Sequence, residues 1–197
     1  WNFDLFAQRL NELLFTDINT YDELRYSFYH FFEYDLDYQD IRNSIGSMHV
    51  IQGGENNDEL NGTNKNDIIV GGVGNDTLSG GYGSDIYLFN RGDGQDIIKN
   101  YDSGKNKKDT LLFGKGILVS DVFLTKNKNN LIINFIDSSD RVTINGYFGS
   151  DGYGAYGLEQ IEFIDGTIWN IDTVKNMFIA GTNEDQVLNA YLHGSSI

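Results

Sequence analysis

Between residues 53 and 88 the chain repeats itself every nine residues: GGENNDELN, GTNKNDIIV, GGVGNDTLS and GGYGSDIYL. Gly opens each unit, Asp recurs at positions 58, 67, 76 and 85, and a large side chain follows two residues later at Leu60, Ile69, Leu78 and Tyr87. A period held in register four times is the mark of a stacked, quasi-one-dimensional fold. Six residues rich in Gly and Asn make a tight turn, because Gly accepts positive φ. Three residues then make a short strand that turns its one apolar side chain inward.

The repeat resembles the RTX nonapeptide, G-G-x-G-x-D-x-U-x. Gly71, Gly72, Gly74, Asp76 and Leu78 fill every fixed position, as do Gly80, Gly81, Gly83, Asp85 and Tyr87. The first unit carries Asn56 where the pattern has Gly, and the second carries Thr63 and Lys65. Asn tolerates a left-handed backbone nearly as well as Gly, so Asn56 is expected to take it. The resemblance implies a calcium-binding parallel β-roll in a mainly β chain. Two nonapeptides then make one coil, and each turn stacks on the next but one. Two further turns follow, Arg91 to Ile98 with two extra residues, and Gly104 to Asp109.

That stacking pairs Asp58 with Asp76, Asp67 with Asp85, Asp76 with Asp96 and Asp85 with Asp109. Ca²⁺ prefers six to eight hard oxygen ligands, which paired carboxylates and turn carbonyls supply. The expected metal turns comprise Gly53, Asn56, Asp58, Gly62, Asp67, Gly71, Gly74, Asp76, Gly80, Gly83, Asp85, Gly92, Gly94, Asp96 and Asp109, holding two to four Ca²⁺ ions. One buried apolar side chain per nine ordered residues does not offset the entropy of ordering them. The metal is therefore expected to contribute to folding itself.

Composition agrees with this reading. There are 29 Asp and Glu against 14 Lys and Arg, a formal net charge of −15, spread along the chain. Such a charge argues against nucleic acid as a partner, which requires gathered Lys and Arg. It suits a cation that relieves the repulsion. With no Cys there is no disulfide framework, thiolate metal site or Cys nucleophile. No run of ~18 apolar residues offers a transmembrane helix.

Around the repeats, residues 1–46 carry helical spacing at Phe3, Phe6, Leu10, Leu13 and Leu14, and a Thr20/Glu23 capping box. They are expected to form a helical cap. The roll is assigned to residues 47–116. A β-rich domain is assigned to 117–180, with strands at 122–126, 131–135, 141–147, 160–163 and 167–169. Its turns are at Asn127–Asn130 and at Asp165-Gly166, the latter a two-residue hairpin, and a short helix covers 172–178. It is similar to the domain found after the repeats in many large RTX proteins. Residues 181–197 begin a further, degenerate repeat with Gln186 at the Asp position, so the chain reads as a piece of a longer protein.

No H-E-x-x-H, G-x-S-x-G or phosphate-loop motif is present, and His30, His49 and His193 are scattered. The chain is not expected to be an enzyme, although its parent protein could carry one elsewhere. Glu159 and Glu162 read as a solvated strand face, and Lys105, Lys107 and Lys108 as a solvated loop. Tyr147, Phe148, Tyr153 and Tyr156 in a Gly-rich loop offer a second reading, a module that binds a host receptor or sugar and uses calcium only structurally. The resemblance implies type I secretion of the parent protein, hence a secreted or cell-surface location, with the export machinery as partner. The absence of Pro and Cys suits rapid folding after export.

Overall fold

The computed structural model describes residues 49–114, 117–163, 165–180 and 188–189. The expected helical cap at 1–46 lies outside the described residues, as does most of 181–197. The chain divides into two compact units, Trp1–Val50 and Ile51–Ile197, and the repeats lie in the second.

Seven short strands run through the repeats: β1 (His49–Gln52), β2 (Glu59–Asn61), β3 (Asp67–Val70), β4 (Thr77–Ser79), β5 (Ile86–Phe89), β6 (Gln95–Ile98) and β7 (Thr110–Phe113). Successive strands alternate between two sheets. One has the order β1-β3-β5-β7 and the other β6-β4-β2 along this part of the chain. The pairs β2/β4, β4/β6, β3/β5 and β5/β7 are all parallel. This is the next-but-one stacking expected of nonapeptide coils, and the fold is mainly β. Aspartates in successive coils are 18 residues apart in the first two steps, then 20 and 24.

The block after the repeats does not stand apart from the roll. It adds β8 (Val122–Asn127), β9 (Asn130–Phe135), β10 (Arg141–Ile144), β11 (Gln160–Glu162), β12 (Ile168–Asn170) and the helix α1 (Ile171–Ala180). Strand β10 pairs parallel with β6, and β11 pairs parallel with β7, so both sheets continue across the expected boundary at 116/117. The reason is an unfinished surface: the last coil presents unpaired strand edges, and these strands cover them. The β8/β9 hairpin closes as expected, with Asn127 opposite Asn130 and Lys128 at φ 54°. Strand β10 ends at Ile144, short of the expected Tyr147, because Gly146 at φ 70° turns the chain. The Asp165-Gly166 turn is also wider than expected. The Phe163 N–H donates to the Thr167 carbonyl and the Gly166 N–H to that of Phe163, closing three residues with Gly166 at φ 85°. Asn170 caps α1 by accepting the Thr173 N–H at 2.8 Å. Where described, the segment after α1 forms β13 (Leu188–Asn189), antiparallel to β8.

One hydrophobic core runs from the repeats into the block, from Ile69, Leu78 and Tyr87 to Trp169 and Val174. Two of the four units bury more than one apolar side chain, Ile68, Ile69 and Val70 in one and Tyr87 and Leu88, continued by Phe89, in the other, whereas Leu78 is alone in its unit and Leu60 is only partly buried. At the junction the strand runs past the nine-residue frame into shared packing. Phe89 stacks on Phe135 at 5.2 Å and meets Phe113 edge-on at 6.3 Å. No helix among the described residues is long and apolar enough to cross a membrane.

Candidate metal centre

Two ladders of carboxylates climb the edges of the roll. In one, the Asp58 N–H donates to Asp76 Oδ1 at 2.8 Å and the Asp76 N–H to Asp96 Oδ1 at 2.9 Å. In the other, the Asp67 N–H donates to Asp85 Oδ1 at 2.9 Å and the Asp85 N–H to Asp109 Oδ1 at 3.0 Å. The structure thus brings together each of the four aspartate pairs expected from the repeat. One oxygen of each upper carboxylate is tied to backbone, and what differs is the second oxygen.

In the first coil the second oxygen is already satisfied. Asp58 Oδ2 accepts the Gly54 N–H at 2.8 Å, and Asp67 Oδ2 accepts the Thr63 N–H at 2.7 Å and its hydroxyl at 2.9 Å. In the second coil Asp76 Oδ2 and Asp85 Oδ2 are buried with no hydrogen-bond partner. The backbone explains the contrast. Gly72, Gly74, Gly81 and Gly83 have φ of 88°, 151°, 91° and 132°, whereas no residue of the turns at 53–58 and 62–67 is left-handed. Asn56 therefore does not adopt the left-handed backbone expected of it. Without Gly at position 56, 63 or 65, the first-coil turns keep ordinary φ and aim an N–H at their own carboxylate.

The glycines are required for space as well as φ. A Cβ on Gly71 or Gly80 would collide with the Asp76 or Asp85 carboxylate of the same turn. A Cβ on Gly53 or Gly62 would strike the carbonyl oxygen of Gly71 or Gly80 one coil on. One on Gly74 would lie 2.6 Å from the Asn56 oxygen, and one on Gly83 2.5 Å from that of Lys65. A Gly94 Cβ would strike the Gly74 oxygen. Carboxylates and carbonyls are thus crowded together with only Cα hydrogens between them. Gly92, at φ 90°, meets nothing and instead donates its N–H to Asp140 Oδ2 at 2.8 Å.

Burial disfavours these charges, and like charges nearby add to the effect. Burial pushes the Asp85 carboxyl up to about 7, with Asp109, Asp67 and Asp102 adding repulsion. Burial likewise raises Asp96 to about 7 and Asp93 to about 6, and it raises Asp76. Buried anions with an unsatisfied oxygen fit a hard cation. Among the described residues no group of three or more acidic, His or Cys side chains gathers as a metal cluster. Asp76 and Asp85, with turn carbonyls, are the residues that would hold the ion.

Several participants were not singled out by the repeat. Asn57 and Asn66 accept the N–H of Asn75 and Ser84 one coil on, at 2.8 and 2.9 Å, and Asn75 accepts that of Gln95 at 2.9 Å. Their nine-residue spacing was visible in the sequence. Asp93, Asp102 and Asp140 are buried beside the turns but lie outside the nine-residue frame. Tyr87 is more than an apolar plug: its hydroxyl accepts the Gly80 N–H at 2.8 Å and donates to Asn100 Oδ1 at 2.7 Å. Replacing Tyr87 by Phe leaves both groups unsatisfied. We expect a loss of about 1–3 kcal/mol in urea unfolding at saturating calcium, and an unchanged midpoint would refute the coupling.

Two surface readings are corrected. Glu159 is not a free strand face: its Oε2 accepts the Asp109 N–H at 2.8 Å. Lys107 is not solvated, its side chain being only 8% exposed. The aromatic loop is divided. Tyr147 is fully buried and Phe148 packs on Phe178, leaving Tyr153 and Tyr156 exposed. His49 lies in β1.

Comparison with known proteins agrees with the repeat geometry. The RTX calcium-binding nonapeptide repeat model matches residues 52–87 and 61–98. The haemolysin-type calcium binding protein related domain matches residues 130–173. The iron-regulated protein FrpA of Neisseria meningitidis serogroup C is 39% identical over 111 residues, which cover 56% of this chain and 10% of that protein.

Proposed function

We propose, for a chain that carries RTX calcium-binding nonapeptide repeats, a module that folds on calcium after type I secretion of a larger bacterial protein. The observation that carries this reading is the pair of buried second-coil carboxylates, each with an oxygen lacking a partner. Without a cation, the roll stacks acids upon acids, and their repulsion opposes compaction. A bound Ca²⁺ supplies a hard positive charge and ligand positions for carboxylate and carbonyl oxygens. Asp76 and Asp85 would each offer the free oxygen while keeping the other on the backbone of the preceding coil. The glycines keep side chains out of the space between.

At low cytosolic calcium, the module stays extended and can be threaded outward. At millimolar extracellular calcium, it closes. The module itself is not catalytic, and a toxin, adhesin or enzyme activity of the parent protein belongs elsewhere in that protein. The corresponding location is extracellular or at the bacterial surface.

Far-UV circular dichroism during a calcium titration at pH 7.5, with a magnesium control, tests this reading. The expected result is a cooperative gain of β signal with Ca²⁺ and none with Mg²⁺, which keeps its waters and is poorly suited to a cage made mostly of carbonyls. A full β spectrum in chelator would overturn it.

A further inference from the structure

We infer that the Lys107 ammonium is a tethered cation standing in for calcium at the top of the second carboxylate ladder. This rests on the calcium reading above. Strand β11 lies on β7 with Gln160 opposite Thr110, just as Thr110 lies opposite Ile86. Glu159, immediately before Gln160, is therefore the register counterpart of Asp109 and Asp85. It behaves as one, since its Oε2 accepts the Asp109 N–H as Asp109 Oδ1 accepts that of Asp85. The ladder has one more step than the repeat displays.

At this step the second carboxylate oxygen is not orphaned. Lys107 Nζ sits 2.7 Å from Asp109 Oδ2, 2.9 Å from the Gly157 carbonyl oxygen and 3.0 Å from Glu159 Oε1. An ammonium has three N–H donors, and here they meet two carboxylates and a carbonyl. These are the ligand types Ca²⁺ takes. Asn100 Nδ2 also donates to Asp109 Oδ2, at 2.9 Å. The coil that brings Lys107 here spans 24 residues from Asp85 to Asp109, against 18 from Asp67 to Asp85. The extra chain passes through Asn106 at φ 62° and delivers the lysine inward. Calcium thus serves the inner turns, while the step that joins the repeats to the next block carries its own cation.

Native mass spectrometry of the full chain in saturating Ca²⁺ tests this by counting bound ions. Lys107→Ala vacates the position and leaves both carboxylates, so the variant is expected to bind one ion more than the wild type. Equal non-zero counts overturn the inference. A count of zero in both overturns it together with the calcium reading. If Lys107→Ala does not fold at any calcium concentration, Glu159→Gln decides: an unchanged count supports the lysine, and a loss of one ion overturns it.

Discussion

Replacing Asp85 by Asn is expected to raise the calcium concentration at half-folding at least tenfold, about 1.4 kcal/mol, without weakening the metal-free chain. The amide oxygen of the new side chain can still accept the Asp67 N–H that Asp85 Oδ1 accepts at 2.9 Å. What disappears is the negative charge and the buried Oδ2 that has no partner. That charge opposes folding in the absence of metal, because it is buried among Asp109, Asp67 and Asp102. It favours folding in the presence of metal for the same reason. The two effects have opposite signs, so a merely structural residue would not reproduce them. Asp58→Asn supplies the contrast: its Oδ2 already takes the Gly54 N–H, and a smaller shift is expected. Parallel circular dichroism titrations read both variants. Equal shifts for Asp58 and Asp85 would refute the distinction between closed and open turns.

Acid is expected to replace calcium in part. In the folded, metal-free chain the Asp85 and Asp96 carboxyls are held at about 7, against an ordinary value of 3.8. A carboxyl raised on folding binds its proton more tightly in the folded state. Its contribution favours the fold below the unfolded value and is lost as pH rises through about 7. Two such groups therefore both favour the fold at acid pH. In chelator, the β signal is therefore expected to grow as pH falls from 7.5 to 5. Protons and calcium compete for the same oxygens, so the calcium midpoint should rise over that range. Stopping at pH 5 keeps the chain above its pI of about 4.3, where loss of net charge promotes association. A chelator spectrum flat from pH 7.5 to 5 would contradict the burial of these acids as charged groups.

Both predictions rest on differences the nine-residue pattern does not display. In the sequence, Asp58, Asp67, Asp76 and Asp85 are equivalent. In the fold, the glycines at 72, 74, 81 and 83 rotate their peptides, and among the described residues the buried carboxylate oxygens without a partner are those of the second coil. The departures at Asn56, Thr63 and Lys65 were readable as substitutions. Their consequence was not, because it depends on where each N–H points, and a backbone dihedral sets that direction.

The repeat by itself determined the parallel, alternating stack, the identity of the paired aspartates and the demand for a cation. These come from a period of nine, from where Gly permits a turn, and from the like charge of acids placed one coil apart. Tertiary structure decided which carboxylates remain uncompensated, that the two sheets run on into the next block, and that Glu159 and Lys107 complete a ladder. Asp109 and Glu159 are 50 residues apart and meet only because β11 pairs with β7. Local spacing governs a turn and its immediate neighbours. A contact across 50 residues is set by which strand edge is left unpaired and by the packing that holds its cover in register.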